Sequence, residues 1–321
     1  MKKLLFILLV LSFLVSLLLT ATTSQAFTHL DDATLPLPPV SIAQTLSDVK
    51  SFSCDDVTVV PVSECEALVD FYLSTNGAGW TTNTNWLVNL DIGNWFGVTV
   101  TEGHVTILSL YSKQLSGTIP DKLGQLTYLE LLDLAGNQLS GSIPESLGNL
   151  IYLEEACLTN NKLSGPIPDT LGGMTSLLRL SLNENRLTGE IPASLGNILS
   201  LQKFSVARNE LTGPLPETLG QLVNVEKFEV YINNFSGELP ESLGDLSNLK
   251  ELVIFENSFS GSIPLSYTNL TNVVLFDFRL TDLCEPTVPE FLAWKALVDI
   301  GWHGTGQICM DYHNYLPLVC R

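Results

Sequence analysis

Basic side chains are scarce in this sequence: 15 Lys and Arg stand against 34 Asp and Glu, a net charge of −19 over 321 residues. Such a surface repels nucleic acid and anionic membranes, so neither is an expected partner. Histidine is rarer, with only His29, His104, His303 and His313. None falls at a metal-ligand spacing such as H-E-x-x-H, and no G-x-S-x-G nucleophile turn occurs. Gly304-Thr305-Gly306 lacks the spacing and the Lys of a phosphate loop. His303, Cys309, Asp311 and His313 can be drawn as a metal cluster, but a disulfide at Cys309 would consume one ligand. No catalysis, metal or cofactor is expected. Long apolar runs are missing after residue 19. The run over residues 4–19 follows Lys2 and Lys3 and precedes Ser24-Gln25-Ala26, a small-x-small cleavage site. It is shorter than the roughly 20 residues of a bilayer span, which disfavours an uncleaved anchor. Residues 1–26 read as a signal peptide, and the mature chain is expected outside the cell or in its envelope with no membrane segment.

What the chain has in abundance is one pattern. The stretch from Leu129, LELLDLAGNQLSGSIPESLGNL, recurs every 24 residues, starting at Val105, Leu129, Leu153, Leu177, Leu201, Val225 and Leu249, with a decayed copy at Val273. A fixed period in this range means a solenoid of stacked units. Within a unit, L-x-x-L-x-L-x-x-N-x-L asks for one short strand that buries its leucines on one side, as with Leu132, Leu134 and Leu139. The asparagine returns as Asn137, Asn161, Asn185, Asn209, Asn233 and Asn257, with Lys113 and Thr281 in its place at the ends. Stacked amides form a ladder for turn N–H and C=O groups that no sheet partner reaches. Gly141 and its equivalents supply a positive φ or a close backbone approach. Ile143-Pro144 turns the chain, and Leu147-Gly148 and Leu150 return it to the core through a short helical or irregular segment.

The flanks are not periodic. Residues 27–62, with Leu35-Pro36-Leu37-Pro38-Pro39, form an extended lead-in, and residues 63–104 form an N-terminal cap ahead of repeats over 105–283. Ser63-Glu64-Cys65-Glu66 matches a capping box, with Ala67, Leu68, Phe71 and Tyr72 on one helical face and Asn76-Gly77 as the stop. Trp80, Trp86 and Trp95 suit a seal over the open end of the core better than a sugar-stacking platform. Residues 284–309 form the C-terminal cap, with a helix after Pro289 that turns Phe291, Trp294, Leu297 and Val298 to the last repeat, and a turn over residues 302–306. A tail over residues 310–321 ends the sequence. Six cysteines in an exported chain point to disulfides, paired as Cys54 with Cys65 and Cys284 with Cys309, one at each end of the array. Cys157 and Cys320 remain as two free thiols, a crosslink to another chain, or a pair formed by a tail that runs back over the repeats.

The unit L-x-x-L-x-L-x-x-N-x-L-[ST]-G-x-[IL]-P-x-x-L-G resembles the plant-specific class of leucine-rich repeats, and the resemblance covers residues 64–309. That class occurs in receptor-kinase ectodomains, in polygalacturonase-inhibiting proteins, and in similar secreted proteins of bacteria and protists. The cap segments Ala67-Leu68-Val69-Asp70-Phe71-Tyr72 and Leu283-Cys284-Glu285-Pro286 are similar to the bacterial and protist version. Trp95-Phe96-Gly97-Val98 carries no cysteine beside it, unlike the plant cap. The resemblance implies an α/β solenoid, a right-handed superhelix of about eight repeats with a parallel sheet on its concave face and two caps. Its usual task is recognition of a protein or peptide.

On such a face, strand alternation turns the third, fifth, seventh and eighth positions of each unit outward. The third positions place Arg179, Lys203 and Lys227 in succession, with Glu155 and Glu251 at either end and Arg208, Glu229, Tyr231 and Phe255 alongside. Two readings follow. Glu226, Glu229, Glu184 and Glu210 neutralise the cations, or the stripe receives an anionic partner with Tyr231 and Phe255 as apolar anchors. The expected function is non-catalytic binding of a protein or peptide by the concave face. The alternatives are a structural envelope or matrix component and an inhibitor of a secreted glycan-degrading enzyme. Asn234-Phe235-Ser236 and Asn269-Leu270-Thr271 match glycosylation sequons.

Overall fold

The computed structural model describes residues 52–298 and 301–309; the leader, most of the lead-in, Cys320 and the 310–321 tail lie outside the described residues. Each unit closes one coil of chain. In the second repeat it runs from strand Leu131–Asp133 through a corner to strand Gln138–Gly141 and then the 3-10 turn Glu145–Asn149. Leu132, Leu134 and Leu139 are almost fully buried between the layers. The strand opening each coil pairs with its equivalent 24 residues on, in parallel and without slippage, as Leu132 with Ala156 and Ala156 with Leu180. Among the described residues these strands build a ten-stranded sheet in chain order, from the hairpin Val98–Thr101 and His104–Ser109 to Trp302–His303. Only the first pair is antiparallel, and it covers an edge that would otherwise expose unpaired backbone.

A second sheet was not expected. The segments after the asparagine, Gln138–Gly141 and its equivalents, pair into eight parallel strands from Ser116–Thr118 to Asp282–Cys284. The glycine of each of the first seven such segments has a positive φ, 76° at Gly141 and 79° at Gly165, which lets the chain leave the strand towards the proline. The glycine seven residues later has a different duty. A Cβ on Gly196 would stand 2.3 Å from the carbonyl oxygen of Thr218, so adjacent coils touch there backbone to backbone.

The asparagine ladder is formed. Asn209 Nδ2 donates to the carbonyls of Leu182 and Val206, both at 3.0 Å, and its Oδ1 accepts from Leu187 N at 3.0 Å. The Leu182 and Leu187 groups belong to the preceding coil, so each amide joins two units. On the outer side, hydroxyls form another ladder: Thr170, Ser194, Thr218, Ser242 and Ser266 each donate to a carbonyl 25 residues earlier.

The caps depart from expectation in three places. Helix α1 (Val62–Ser74) begins at Pro61 with no side-chain cap, so the Ser63–Glu66 capping box does not form. Ser63 already lies inside the helix, and Glu64 turns inward to accept from Val105 N at 2.8 Å and pair with His104 at 2.6 Å. Helix α2 (Pro289–Val298) buries Phe291, Trp294 and Val298, whereas Leu297 is 76% exposed. At about 100° per residue, Leu297 lies a quarter-turn or more off that face. Trp302–His303 is a strand beside Leu275–Asp277, where a turn was expected. Trp80, Trp86 and Trp95 are buried and pack on one another at 4.7 to 5.0 Å between centroids. Cys54 is bonded to Cys65 and Cys284 to Cys309. Among the described residues no helix is long and apolar enough to cross a membrane.

Tyr267 replaces the leucine of its unit, is fully buried, and its hydroxyl has no hydrogen-bond partner among the described residues. Burial pushes the phenol well above its ordinary value of 10.0, and the carboxylates of Glu217 and Glu241 push it further.

Two stability predictions follow from the ladder and this phenol. Asn209→Ala leaves buried turn groups of two coils unpaired and should lower unfolding free energy by about 2–3 kcal/mol in urea titration. Above pH 10 the unfolded chain loses the Tyr267 proton while the folded chain keeps it, so native stability falls by up to about 1.4 kcal/mol per pH unit. Tyr267→Phe should abolish that alkaline slope in melts from pH 8 to 11. At neutral pH it should leave stability equal or raised, by about 1 kcal/mol at most.

Candidate functional site

The concave sheet sets its outward side chains in columns because every repeat strand from His104–Ser109 to Leu275–Asp277 is in parallel register with the next. Third positions oppose one another in the order Glu155, Arg179, Lys203, Lys227 and Glu251. Parallel strands lie about 4.8 Å apart, so three cations in a row repel unless acids intervene. They do, at both ends of the row. Arg179 lies 3.3 Å from Glu155, and Lys227 lies 3.0 Å from both Glu229 and Glu251. The Lys227 pKa is lowered by burial but raised on balance by its hydrogen bonds to Glu229 and Glu251. Lys203 is exposed and has no ion pair among the described residues.

The expected neutralisers are therefore only partly in place. Glu229 serves Lys227 and also accepts from Ser205 Oγ at 2.8 Å, while Glu226 pairs with Lys250 at 2.8 Å. Glu184 and Glu210 make no ion pair among the described residues. Three stacked cations reduce to one free ammonium with a compensated pair on each flank.

Beside this column runs an aromatic stack. Tyr231 and Phe255 are parallel, 4.7 Å between centroids and 9° between planes. Arg208 lies 5.9 Å from the Tyr231 ring, and Arg279 lies 5.7 Å from the Phe255 ring. Two guanidinium groups thus close the ends of a two-ring stack, each a cation over a π face. Arg279 is also held by Asp277 at 2.7 Å, which raises its already high pKa. Arg208 has no such acid partner among the described residues, so Lys203 and Arg208 are the cations of this stripe without an acid partner there. Between them in the same coil, Ser205 and Ala207 are small and buried, which keeps the floor low.

Two features escaped the sequence reading. Arg279 occupies the seventh position of the decayed last repeat, 24 residues after Phe255, so the period alone would have found it. The eighth position leaves the strand altogether: Glu184, Arg208, Ile232 and Glu256 all have φ between 52° and 54°. This left-handed corner, and not strand alternation, throws Arg208 outward. A β-branched Ile232 in that conformation is strained, and no periodic glycine marks the corner.

Cys157 lies on the same sheet between Asp133 and Ser181 and is free. Burial pushes its thiol up, Asp133 and Glu155 push it further, and Arg179 opposes them. Among the described residues no three His, Cys, Asp or Glu side chains are placed to hold a metal ion.

Comparison with known proteins agrees with this geometry. A leucine-rich repeat region family matches residues 104–300. The structure is similar to PEPR1 in its complex with AtPEP1, with TM-score 0.64 and 33% identity over 70% of this chain and 32% of that one. It is similar to the ectodomain of the Arabidopsis thaliana receptor kinase GASSHO1/SCHENGEN3 in complex with CASPARIAN STRIP INTEGRITY FACTOR 2, with TM-score 0.67 and 32% identity over 73% and 28%. The plant peptide hormone receptor RGFR1 in complex with RGF2 gives TM-score 0.54 and 36% identity over 57% and 29%. The chain thus spans about a third of the length of the receptors it matches. No curated protein matches it in sequence.

One reactivity prediction belongs to this face. In a Cys320→Ser background, Cys157 should react with Ellman's reagent more slowly than a free cysteine at pH 8, because the thiolate is the nucleophile. Asp133→Asn should accelerate it by severalfold.

Proposed function

The chain belongs to the leucine-rich repeat family, and from that membership we propose that it is an exported, non-catalytic module whose concave face binds a protein or peptide. The observation that carries this reading is the pairing of unmet charge with a fixed apolar ledge. Lys203 and Arg208 stand without acid partners among the described residues beside the stacked rings of Tyr231 and Phe255. The partner best suited is a peptide or loop with an acidic side chain for Lys203 and Arg208 and an apolar one beside it for the ring edges. Lys227, Arg179 and Glu229 contribute by holding their neighbours in place. The solved receptors named above carry bound ligands in their own complexes, which supports this use of the fold. The paired terminal disulfides and the leader at residues 1–26 support export.

A random-peptide display selection against the mature wild type tests this reading. Enriched peptides should be acidic, and their affinity should fall at least about tenfold on the Lys203→Glu, Arg208→Glu double variant, because reversed charge repels them. The paired flanks predict a smaller loss for Arg179→Gln. Peptides that bind wild type and the folded double variant alike would move the site off the concave face.

A further inference from the structure

The outer flank of the solenoid carries a second surface that concave recognition does not use. A groove of about 610 Å³ runs across the fifth to seventh coils, between the second sheet and the 3-10 turns. Part of its wall is apolar: Pro214 and Leu265 are exposed on it, with Leu239 and Ile263 buried behind. Glu217, Glu238 and Glu241 line it and are exposed. None of the three makes an ion pair among the described residues, although Lys227, Lys250 and Arg279 elsewhere are all paired.

The repeat backbone positions these acids. A Cβ on Gly261 would come within 3.1 Å of Glu238 Cγ, so the bare glycine of the next coil is the seat on which that side chain rests. Glu217 Oε2 accepts from Ser242 N at 3.4 Å, which ties it to the following coil. The unpartnered, fully buried phenol of Tyr267 sits in the turn Leu265–Asn269 that borders the groove. Glu217 and Glu241 both act on it electrostatically, so the core beneath the groove feels their uncompensated charge. Glu217 and Glu241 are equivalent positions 24 residues apart and Glu238 lies in the same coil as Glu241, so three carboxylates, with no cation paired to them among the described residues, hold a local negative potential over the groove.

We propose that this flank groove is a docking surface for a basic, extended segment of a partner protein, whose Lys or Arg side chains lay their aliphatic stems on the proline and leucine walls and place their charged ends among Glu217, Glu238 and Glu241. Long cationic side chains suit the site because they bury methylenes while keeping the charge at a polar rim. A metal ion fits it poorly, since no three acidic groups among the described residues are arranged to hold one. A second copy of this chain fits poorly too. Its net charge is −19, and among the described residues six of its eleven Lys and Arg side chains are already ion-paired. Nucleic acid and anionic membrane are repelled by the same charge.

The test uses fluorescence anisotropy of a fluorescein-labelled tetra-arginine peptide with the mature chain at physiological ionic strength. Any polycation is drawn weakly to so acidic a protein, so the controls decide the outcome. The groove triple Glu217→Gln, Glu238→Gln, Glu241→Gln is compared with an equally neutralised triple elsewhere, Glu102→Gln, Glu130→Gln, Glu154→Gln. Ser262→Trp fills the trough without changing charge, and thermal melts verify that each variant folds. The expected result is a loss of about tenfold or more for the groove triple and for Ser262→Trp, with less than about threefold for the control triple. Equal losses in both triples, or wild-type affinity in Ser262→Trp, would overturn the assignment and leave only bulk attraction. The Lys203→Glu, Arg208→Glu variant should bind the probe no more weakly than wild type, so failure here and failure of the concave site are read separately.

Discussion

Each coil of this protein depends on an amide that belongs to the next. From Leu131–Asp133 to Leu275–Asp277 the inner strands are only three residues long, and the chain must then turn through a left-handed corner where no sheet partner can meet its N–H and C=O groups. The recurring asparagine meets them, donating to carbonyls of its own coil and the preceding one and accepting an N–H from the preceding one. Buried at 7–9% exposure, such an amide would be costly if unpaired, and pairing it requires a neighbour at a fixed spacing. The strict 24-residue period is the consequence: an inserted residue would break two sets of hydrogen bonds at once. At the ends, where one neighbour is missing, the protein changes device. Thr281 bonds within its own turn to Phe278 O, and packed tryptophans with a disulfide close each side.

That rigidity has an electrostatic consequence. Because no strand slips, identical positions are stacked at about 4.8 Å, and each column behaves as a one-dimensional row of charges. A row of like charges is tolerable only where acids flank it, which is the arrangement of Glu155, Arg179, Lys203, Lys227 and Glu251. The interior member of the row is left over by arithmetic, since the flanking acids reach only their nearest cation. Among the described residues Lys203 is therefore without an ion pair through its place in the row, and any local rearrangement would have to break a neighbouring pair first. The same logic seats Tyr231 on Phe255 and places a guanidinium at each end of that stack.

Much of this was legible in the residues. The period, the buried leucines, the amide ladder and the stacking of the cationic column all follow from counting by 24, and the two terminal disulfides follow from where the cysteines flank the array. Features that depend on three-dimensional closure were not legible. The second sheet arises because the post-asparagine segments meet their equivalents edge to edge, a contact that no alternation in Gln138–Gly141 announces. The eighth-position corner holds a glycine only at Gly136 and elsewhere Ser, Asn, Glu, Arg, Ile or Leu, so no recurring glycine betrays its positive φ. At the caps, where periodicity stops, local motifs misled. Pro61 supplied a better helix start than Ser63, and Glu64 was drawn inward by His104 and Val105 N.

The distribution of unpaired charge gives the surface two faces of opposite sign. A chain with more than two acids for every base can leave many carboxylates unpaired without consequence, because water and salt screen them. An unpaired cation is informative in that setting, since acids to neutralise it are abundant and geometry alone has kept them away. Lys203 and Arg208 meet that standard on the inner face. Unpaired acids become informative only where something besides exposure holds them, as Gly261 seats Glu238 and Ser242 N ties Glu217 over the groove. The inner face thus offers positive charge beside aromatic edges, and the flank offers negative charge beside prolines. Opposite signs on two faces of one stiff array would let it hold chemically different partners at once, neither competing for the other's site.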